Sequence, residues 1–275
     1  MKKRFLVFIV FMAVLCTAFP SFAEETELPI AGSCGQYLRY EYYQSTKTLT
    51  IIGSGNMPNY PANSREGSIA PWRNNSNIDN YLEKVVISDG VTNIGENAFF
   101  WCDKITSVTI PSSVKSIGMG AFENCKALTS VNIPDGVESI GMDAFVNCEA
   151  LTSVNIPGSV KSIGEKAFSG CDELIKVTIQ DGVESIDTFA FSGCKKLTDV
   201  TLPDSVTSIG DNAFQNTGLY DLYDHTGWDV CYIGKHLIAA NQSISGTCTV
   251  KPGTKTIAGR AFDSCRNLES ITIPD

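Results

Sequence analysis

The sequence has few of the residues that metal or acid–base chemistry needs. It contains two histidines among 275 residues, and none of its ten cysteines stand at the C-x-x-C spacing of zinc sites. Lys and Arg number 21 against 30 Asp and Glu, so the net charge is −9 and the pI about 4.8. Nucleic-acid binding needs clustered positive charge. We therefore expect no metal site, no cofactor and no nucleic-acid partner.

Long apolar runs are also absent, with one exception at the N-terminus. A basic start at residues 2–4 precedes an apolar run from Phe5 to Phe19, and small residues ending at Ala23 follow. This order is typical of a secretory signal peptide, and the run is short for a membrane-spanning helix. We predict cleavage after Ala23 and an exported chain without a transmembrane segment. The alternative is lipidation at Cys16, although Leu15 stands where a small residue is wanted.

What the sequence has instead is a 23-residue repeat. Its clearest copy, residues 128–150, reads L-x-x-V-x-I-P-x-x-V-x-x-I-G-x-x-A-F-x-x-C-x-x. Six units begin at Leu82, Ile105, Leu128, Leu151, Leu174 and Leu197. A seventh returns with Val250, Ile257, Ala261, Phe262 and Cys265, all expected to point inward, and an eighth starts at Leu268. Because that unit stops at Asp275, we expect a longer protein.

Each part of the unit predicts a local structure. Val131 and Ile133 alternate with polar residues, as in a strand with one buried face. Residues 137–140 predict a second short extended or turn segment, Gly141 a chain reversal, and the spacing within 144–148 a short helical turn. One unit cannot enclose its own apolar face, whereas stacked units can. We predict a solenoid of stacked 23-residue units that forms a parallel β-sheet, with short helical or turn segments on the other side.

The cysteines fit this repeat. Six share one position of the unit: Cys102, Cys125, Cys148, Cys171, Cys194 and Cys265. We predict that they and Cys248 are free, buried core residues. A Cys231–Cys248 disulfide stays open as an alternative in an exported protein. A Cys–His nucleophile would need His225 or His236 beside Cys231, but the pattern there favours an ordinary hairpin loop.

The domain organisation follows from where the repeat holds. We predict a signal peptide over 1–23, an N-terminal β-hairpin cap over 24–80, repeat units 1–6 over 81–218, an inserted hairpin over 219–246, and unit 7 with a truncated unit 8 over 247–275. In the cap, Trp72 and nearby tyrosines are expected to cover the exposed end of the core.

The repeat resembles that of the BspA-like leucine-rich repeat proteins of bacterial surfaces, through I-P-x-x-V-x-x-I-G-x-x-A-F-x-x-C over 81–218 and 247–275. Cys34-Gly35, Gly53-Ser54-Gly55 and Pro71-Trp72 resemble caps of such proteins in gut Clostridia. Asp187 and Ala258 depart from the family at the Gly position, and Thr217 at the Cys position. The resemblance implies a leucine-rich repeat fold and a secreted or cell-surface protein that binds protein partners on host or microbial surfaces. It brings no catalytic residues.

Two candidate binding surfaces can be named. The first is the outward face of the strands, with Thr109, Asn132, Asn155, Thr178 and Thr201 in one line and Ser130, Ser153 and Lys176 beside it. Such a small, polar face suits weak, repeated contacts more than one strong anchor. The second is an aromatic knob in the insertion, with Tyr220, Tyr223, Trp228 and Tyr232.

The sequence thus favours a non-catalytic adhesion or protein-binding function, with a glycan as a further class of ligand. The alternative is a carbohydrate-binding or structural repeat module of a larger extracellular enzyme. An enzyme in its own right is the weakest reading, because no convergent set of catalytic side chains can be named.

Overall fold

The structure is a computed structural model that describes residues 27–63, 67–68, 70–219 and 229–274. The predicted signal peptide lies outside these residues, as do residues 220–228 of the predicted insertion. Within the described ranges, no helix is long and apolar enough to cross a membrane.

The region before the repeats consists of short strands and one helical turn. Its elements are β1 (Ile30–Ser33), β2 (Leu38–Tyr43), β3 (Thr48–Gly53), β4 (Gly55–Asn56), β5 (Ala62–Asn63), β6 (Gly67–Ser68) and α1 (Ser76–Asp79). The first three strands pair antiparallel in sequence order, and β5 pairs antiparallel with β6. Asn75 caps α1, since its side chain accepts a hydrogen bond from the amide of Asn77 at 3.0 Å.

Each of the first six repeat units contributes two strands. In chain order these are β7 (Lys84–Ile87) and β8 (Val91–Ile94), β9 (Ser107–Thr109) and β10 (Ser116–Ile117), β11 (Ser130–Val131) and β12 (Ser139–Ile140), β13 (Ser153–Ile156) and β14 (Ser162–Ile163), β15 (Lys176–Ile179) and β16 (Ser185–Ile186), and β17 (Asp199–Thr201) and β18 (Ser208–Ile209). The pairing between units is parallel. The predicted solenoid of stacked 23-residue units is therefore confirmed.

The strands lie in two walls that start in the N-terminal region. One wall has the order β1-β2-β3-β7-β9-β11 and goes on as β13-β15-β17, and the other runs from β4 through β8 to β18. The parallel pairing of β3 with β7 and of β4 with β8 makes residues 48–56 a first, irregular turn of the solenoid. The domain boundaries themselves stay predictions.

Stacked phenylalanines form the centre of the core. Neighbouring rings in this stack have centroids between 5.1 and 5.4 Å apart and lie within 11° of parallel. The stack consists of Phe99, Phe122, Phe145, Phe168, Phe191 and Phe214. Trp72 continues this stack 5.2 Å from Phe99, and Tyr40 and Tyr60 meet its ring edge-on. Burial of each large ring contributes roughly 1.5–3 kcal/mol.

The third side of each unit is a turn, and the helical spacing of Ala144, Phe145 and Cys148 does not produce a helix. Amides in these turns bond to the neighbouring unit; the amide of Phe122, for example, donates to the carbonyl of Ala144 at 2.8 Å. Two residues per turn adopt positive φ, such as Gly120 (58°) and Asn124 (60°). Stacking therefore decides the conformation of this segment.

At Gly141, where a chain reversal was predicted, φ does not lie in the left-handed region. A Cβ added there would lie 2.7 Å from the backbone nitrogen of Met119 in the preceding unit. The glycine therefore permits the close approach of two units.

The last elements are β19 (Val230–Ile233), β20 (His236–Ala240), β21 (Ser245–Thr249), β22 (Thr256–Ile257) and β23 (Asn267–Thr272). β19 and β20 pair antiparallel, β20 runs parallel to β22, and β21 runs parallel to β23. Here one expectation was wrong: Ile257 is exposed, and Thr256 is buried in its place. The physical reason is the partner of Thr256, whose hydroxyl lies 2.9 Å from Nδ1 of the fully buried His236.

Candidate functional site

The predicted strand face is a regular two-column surface, where a column means equivalent residues of successive units. The parallel register aligns Ser130 with Ser107, Asn155 with Thr178, and Thr178 with Thr201. Seven predicted members of the face are exposed: Thr109, Asn132, Asn155, Thr201, Ser130, Ser153 and Lys176. Thr178 is half-buried. The alternation along each strand explains the arrangement, because Val108 and Val131 between them point into the core.

Electrostatically this face is close to neutral. The ammonium of Lys176 pairs with a carboxylate oxygen of Asp199 in the next unit at 2.7 Å. The side-chain amide of Gln180 donates to Oδ1 of Asn155 at 3.3 Å. Hydroxyl and amide groups thus provide the free hydrogen-bonding capacity, repeated about every 4.8 Å along the solenoid axis. Such a surface can make many weak contacts in parallel.

Of the predicted aromatic knob, Tyr232 lies within the described residues. Tyr220, Tyr223 and Trp228 lie outside the described residues. Tyr232 is half-buried, and its hydroxyl accepts a hydrogen bond from the amide of Lys251 at 3.0 Å. The ammonium of the same lysine lies 4.5 Å above the tyrosine ring. These contacts tie Tyr232 to the fold.

The cysteines are free thiols throughout the described chain, so the alternative Cys231–Cys248 disulfide does not form. All are buried except Cys265, which is half-buried. In four successive units the thiol donates to a phenylalanine carbonyl of the preceding unit, at 3.1–3.3 Å; the donors are Cys125, Cys148, Cys171 and Cys194. Burial raises the pKa of Cys102 to about 12 and moves that of Cys148 up as well. Cys102 and Cys148 are therefore protonated thiols, which are poor nucleophiles.

No Cys–His pair is assembled in the described residues. His225 lies outside them. Nδ1 and Nε2 of His236 lie 2.9 Å from the Thr256 hydroxyl and 3.1 Å from the carbonyl of Pro203. Burial raises the pKa of Cys231 to about 12. Nor does any group of three or more His, Cys, Asp or Glu within the described ranges have the geometry to hold a metal ion.

Sequence reasoning missed a group of exposed apolar side chains at the turns of the first units. Trp101, Met119 and Met142 are 48%, 41% and 41% exposed. An alignment of the repeat units carries the signal: Asn124 and Asn147 stand at the position of Trp101, and Glu96 and Glu165 at that of the two methionines. The repeat template defines only the inward positions, so it does not indicate these exposed columns.

Comparison with known proteins identifies the repeat. A family model described as "BspA type Leucine rich repeat region (6 copies)" matches residues 75–183, 118–245 and 161–275. No curated protein matches the chain significantly.

Two solved structures are similar along most of the chain. A leucine rich cell surface protein from Faecalibacterium prausnitzii A2-165 is 29% identical, with 90% of this chain and 72% of that chain covered and a TM-score of 0.52. A leucine-rich repeat protein from Eubacterium ventriosum ATCC 27560 is 20% identical, with 90% and 73% covered and a TM-score of 0.50. The second likeness, at its lower identity, shows the fold alone.

Proposed function

Because this chain belongs to the BspA-type leucine-rich repeat family, we propose that it is a non-catalytic, exported protein that binds protein partners on host or microbial surfaces. The observation that carries the proposal is the strand face. Its columns present small, exposed hydroxyl and amide groups in register over successive units, with Val side chains buried behind them. A partner with its own repeated groups gains from many such contacts at once.

The proposed location rests on two supports. Residues 1–23 have the composition of a signal peptide. The similar Faecalibacterium protein is described as a cell surface protein. Mass spectrometry of the exported protein should find Glu24 at its N-terminus. A full-length chain retained in the cytoplasm would contradict export, and a modified Cys16 at the N-terminus would favour lipidation.

The binding test uses a matched pair of double variants. Ser130→Lys with Ser153→Lys alters the strand face, whereas Ser139→Lys with Ser162→Lys places the same charges on the second wall of the same two units. All four serines are exposed. The exported protein and both variants are titrated against immobilised extracellular-matrix proteins and against a glycan array.

We expect at least one matrix protein to bind the wild type and the second-wall variant, and to bind the strand-face variant less tightly. Equal binding by both variants would remove the strand face from the proposal. Binding to glycans alone would favour the carbohydrate-binding module. No binding to either class would contradict the adhesive function.

A further inference from the structure

The turns of the first three repeat units differ chemically from those of the later units. Two positions in these turns carry large apolar side chains in some of the first three units and polar or small residues in the later units. At the first position, Met119 and Met142 of the second and third units stand between Glu96 of the first unit and Glu165, Thr188 and Asp211 of the later units. At the second, Trp101 is followed by Asn124, Asn147, Gly170, Gly193 and Asn216. Because the backbone conformation repeats from unit to unit, the later units show which residues these two turn positions need for folding alone.

Trp101 is the clearest departure from that reference. Its φ is +61°, in the left-handed region, where Asn and Gly are tolerated much better than a bulky residue. Nearly half of its side chain remains exposed, so little core packing offsets the conformational cost. Strain at an exposed side chain points to a role other than stability.

The turn that carries Trp101 is held in place. Its amide donates to the carbonyl of Glu123 at 2.8 Å, and its carbonyl accepts a hydrogen bond from the guanidinium of Arg73 at 3.1 Å. Arg73 in turn forms an ion pair with Asp79. The ring of Phe100 contacts the indole edge-on, with centroids 6.3 Å apart. The aromatic pair is therefore presented on a fixed backbone, which limits the entropy lost on binding.

The methionines continue the same surface into the next units. The amide of Asn97 donates to the carbonyl of Met119 at 2.8 Å, and that of Gly120 to the carbonyl of Met142 at 2.9 Å. These bonds place one methionine above the other in adjacent units, beside the turn of Trp101. Methionine is flexible and polarisable, and it adapts to varied apolar partners.

Two carboxylates lie within this surface. Burial raises the pKa of Glu123, and the nearby charge of Asp143 raises it further. The pKa of Asp143 is also raised by burial, although Lys166 lowers it in part. Lys166 itself pairs with Glu165 at 3.1 Å. Both carboxylates belong to the turns that carry the apolar side chains, since the carbonyl of Glu123 accepts the Trp101 amide and Asp143 follows Met142 in the chain. A cation of the partner bound beside them would reduce the repulsion between the two carboxylates.

We propose that the apolar corner, defined as Phe100, Trp101, Met119 and Met142 with the acidic pair Glu123 and Asp143, binds a segment of a partner protein that carries apolar anchors and Lys or Arg. The two methionines favour apolar anchors over a glycan, because thioether side chains offer hydroxyl groups almost no hydrogen bonding. This inference rests on the proposed protein-binding function and names a second surface and its partner chemistry.

Methionine methyl NMR tests the corner directly. The chain has five methionines, of which Met1 and Met12 belong to the predicted signal peptide and Met57 is buried in the core. The exported protein, ¹³C-labelled at its methionine methyls, is titrated with a short fluorescent peptide of lysine and leucine. Matched peptides replace lysine by glutamate or leucine by serine. We expect the Met119 and Met142 signals to shift with the first peptide alone, while that of Met57 stays in place.

The variants separate binding from folding. Trp101→Asn installs the residue that Asn124 and Asn147 already provide, so the midpoint of thermal unfolding should stay or rise while the peptide affinity falls roughly tenfold or more. Gly193→Asn introduces the same residue at the equivalent position of the fifth unit, far from the corner in sequence, and should leave the affinity unchanged. Unshifted methionine signals, or an unchanged affinity of Trp101→Asn, would overturn the inference.

The two proposals fail in different ways. If the Met119 and Met142 signals do not shift, but the strand-face variant still binds matrix protein less tightly, only the proposal for the apolar corner is rejected. A corner that responds to a glycan instead of the basic peptide would reject its partner class. Absence of any protein or peptide binding would reject both proposals.

Discussion

The described core buries its large side chains more completely at the N-terminal end than in the last described unit. At one end, Trp72 stacks on Phe99, and two tyrosines meet its edge. At the other, Phe262 occupies the template position of the phenylalanine but is half-buried, and Ile257 beside it is exposed. In the last described unit the template phenylalanine and isoleucine are thus less buried than their counterparts in the middle of the array, although Val250 and Ala261 of that unit are buried. Stability in such an array is a sum of unit and interface contributions, so it should vary along the axis.

The largest effect should come from removing a ring in the middle of the stack. Phe145 is fully buried between Phe122 and Phe168, at 5.3 and 5.1 Å. Phe145→Ala should lower the free energy of unfolding by about 3–5 kcal/mol through lost transfer energy and a cavity. Phe262→Ala should cost clearly less. Urea unfolding of both variants checks this, and equal losses would show that the last described unit is as well covered as the third.

These columns were predictable because each depends on a spacing that the sequence displays. The inward positions of Val131, Ile133 and Phe145 follow from the 23-residue period and local alternation. The turn around Phe145 was not predictable as a non-helical segment, since its amide bonds join one unit to the next. The exposed position of Ile257 depends on a contact between His236 and Thr256, which are far apart in sequence and follow no period.

The candidate surfaces divide in the same way. The strand face follows from alternation, so its residues could be named in advance. Trp101 and Met119 break the pattern of their own columns, and their exposure depends on turn geometry that no local periodicity encodes. Departures from a repeat therefore indicate candidate binding residues that the repeat itself cannot.

A smaller change tests the well-covered end. The indole nitrogen of Trp72 donates to the carbonyl of Ala98 at 2.9 Å. Trp72→Phe keeps most of the ring stacking but leaves that buried carbonyl without its donor, which should cost about 1–2 kcal/mol. Amide exchange should quicken in β7 and β8 and stay unchanged in β15 and β16. Faster exchange along the whole array would mean that the solenoid unfolds as one cooperative unit.

The reactivity of the cysteines allows the middle of the array and its last described unit to be compared without a mutation. Cys148 is fully buried and hydrogen-bonded to the carbonyl of Phe122, whereas Cys265 is half-buried. In the folded protein, a thiol reagent should label Cys265 before Cys148, as peptide mapping by mass spectrometry would report. In denaturant without reductant, at least six thiols should react. Recovery of one or none would point to disulfides in place of the free column.

The smallest effect should be a pH dependence confined to the last described units. Burial lowers the pKa of His236 below its ordinary value of 6.5; the Pro203 carbonyl and Asp204 oppose this shift, and Lys255 and Lys235 add to it. The neutral ring fits the site, since Nε2–H can donate to Pro203 while Nδ1 accepts from the Thr256 hydroxyl.

Between the two pKa values the unfolded chain binds a proton that the folded chain does not, so stability should fall as the pH drops below about 6.5 and level off beneath the folded-state pKa. His236→Gln preserves one donor and one acceptor but does not titrate. The wild type should therefore lose more stability than this variant between neutral and mildly acidic pH, with faster amide exchange in β20 and β22 and little change in β11 to β14. Identical pH profiles for the two proteins would show that the contact between His236 and Thr256 does not depend on a neutral imidazole.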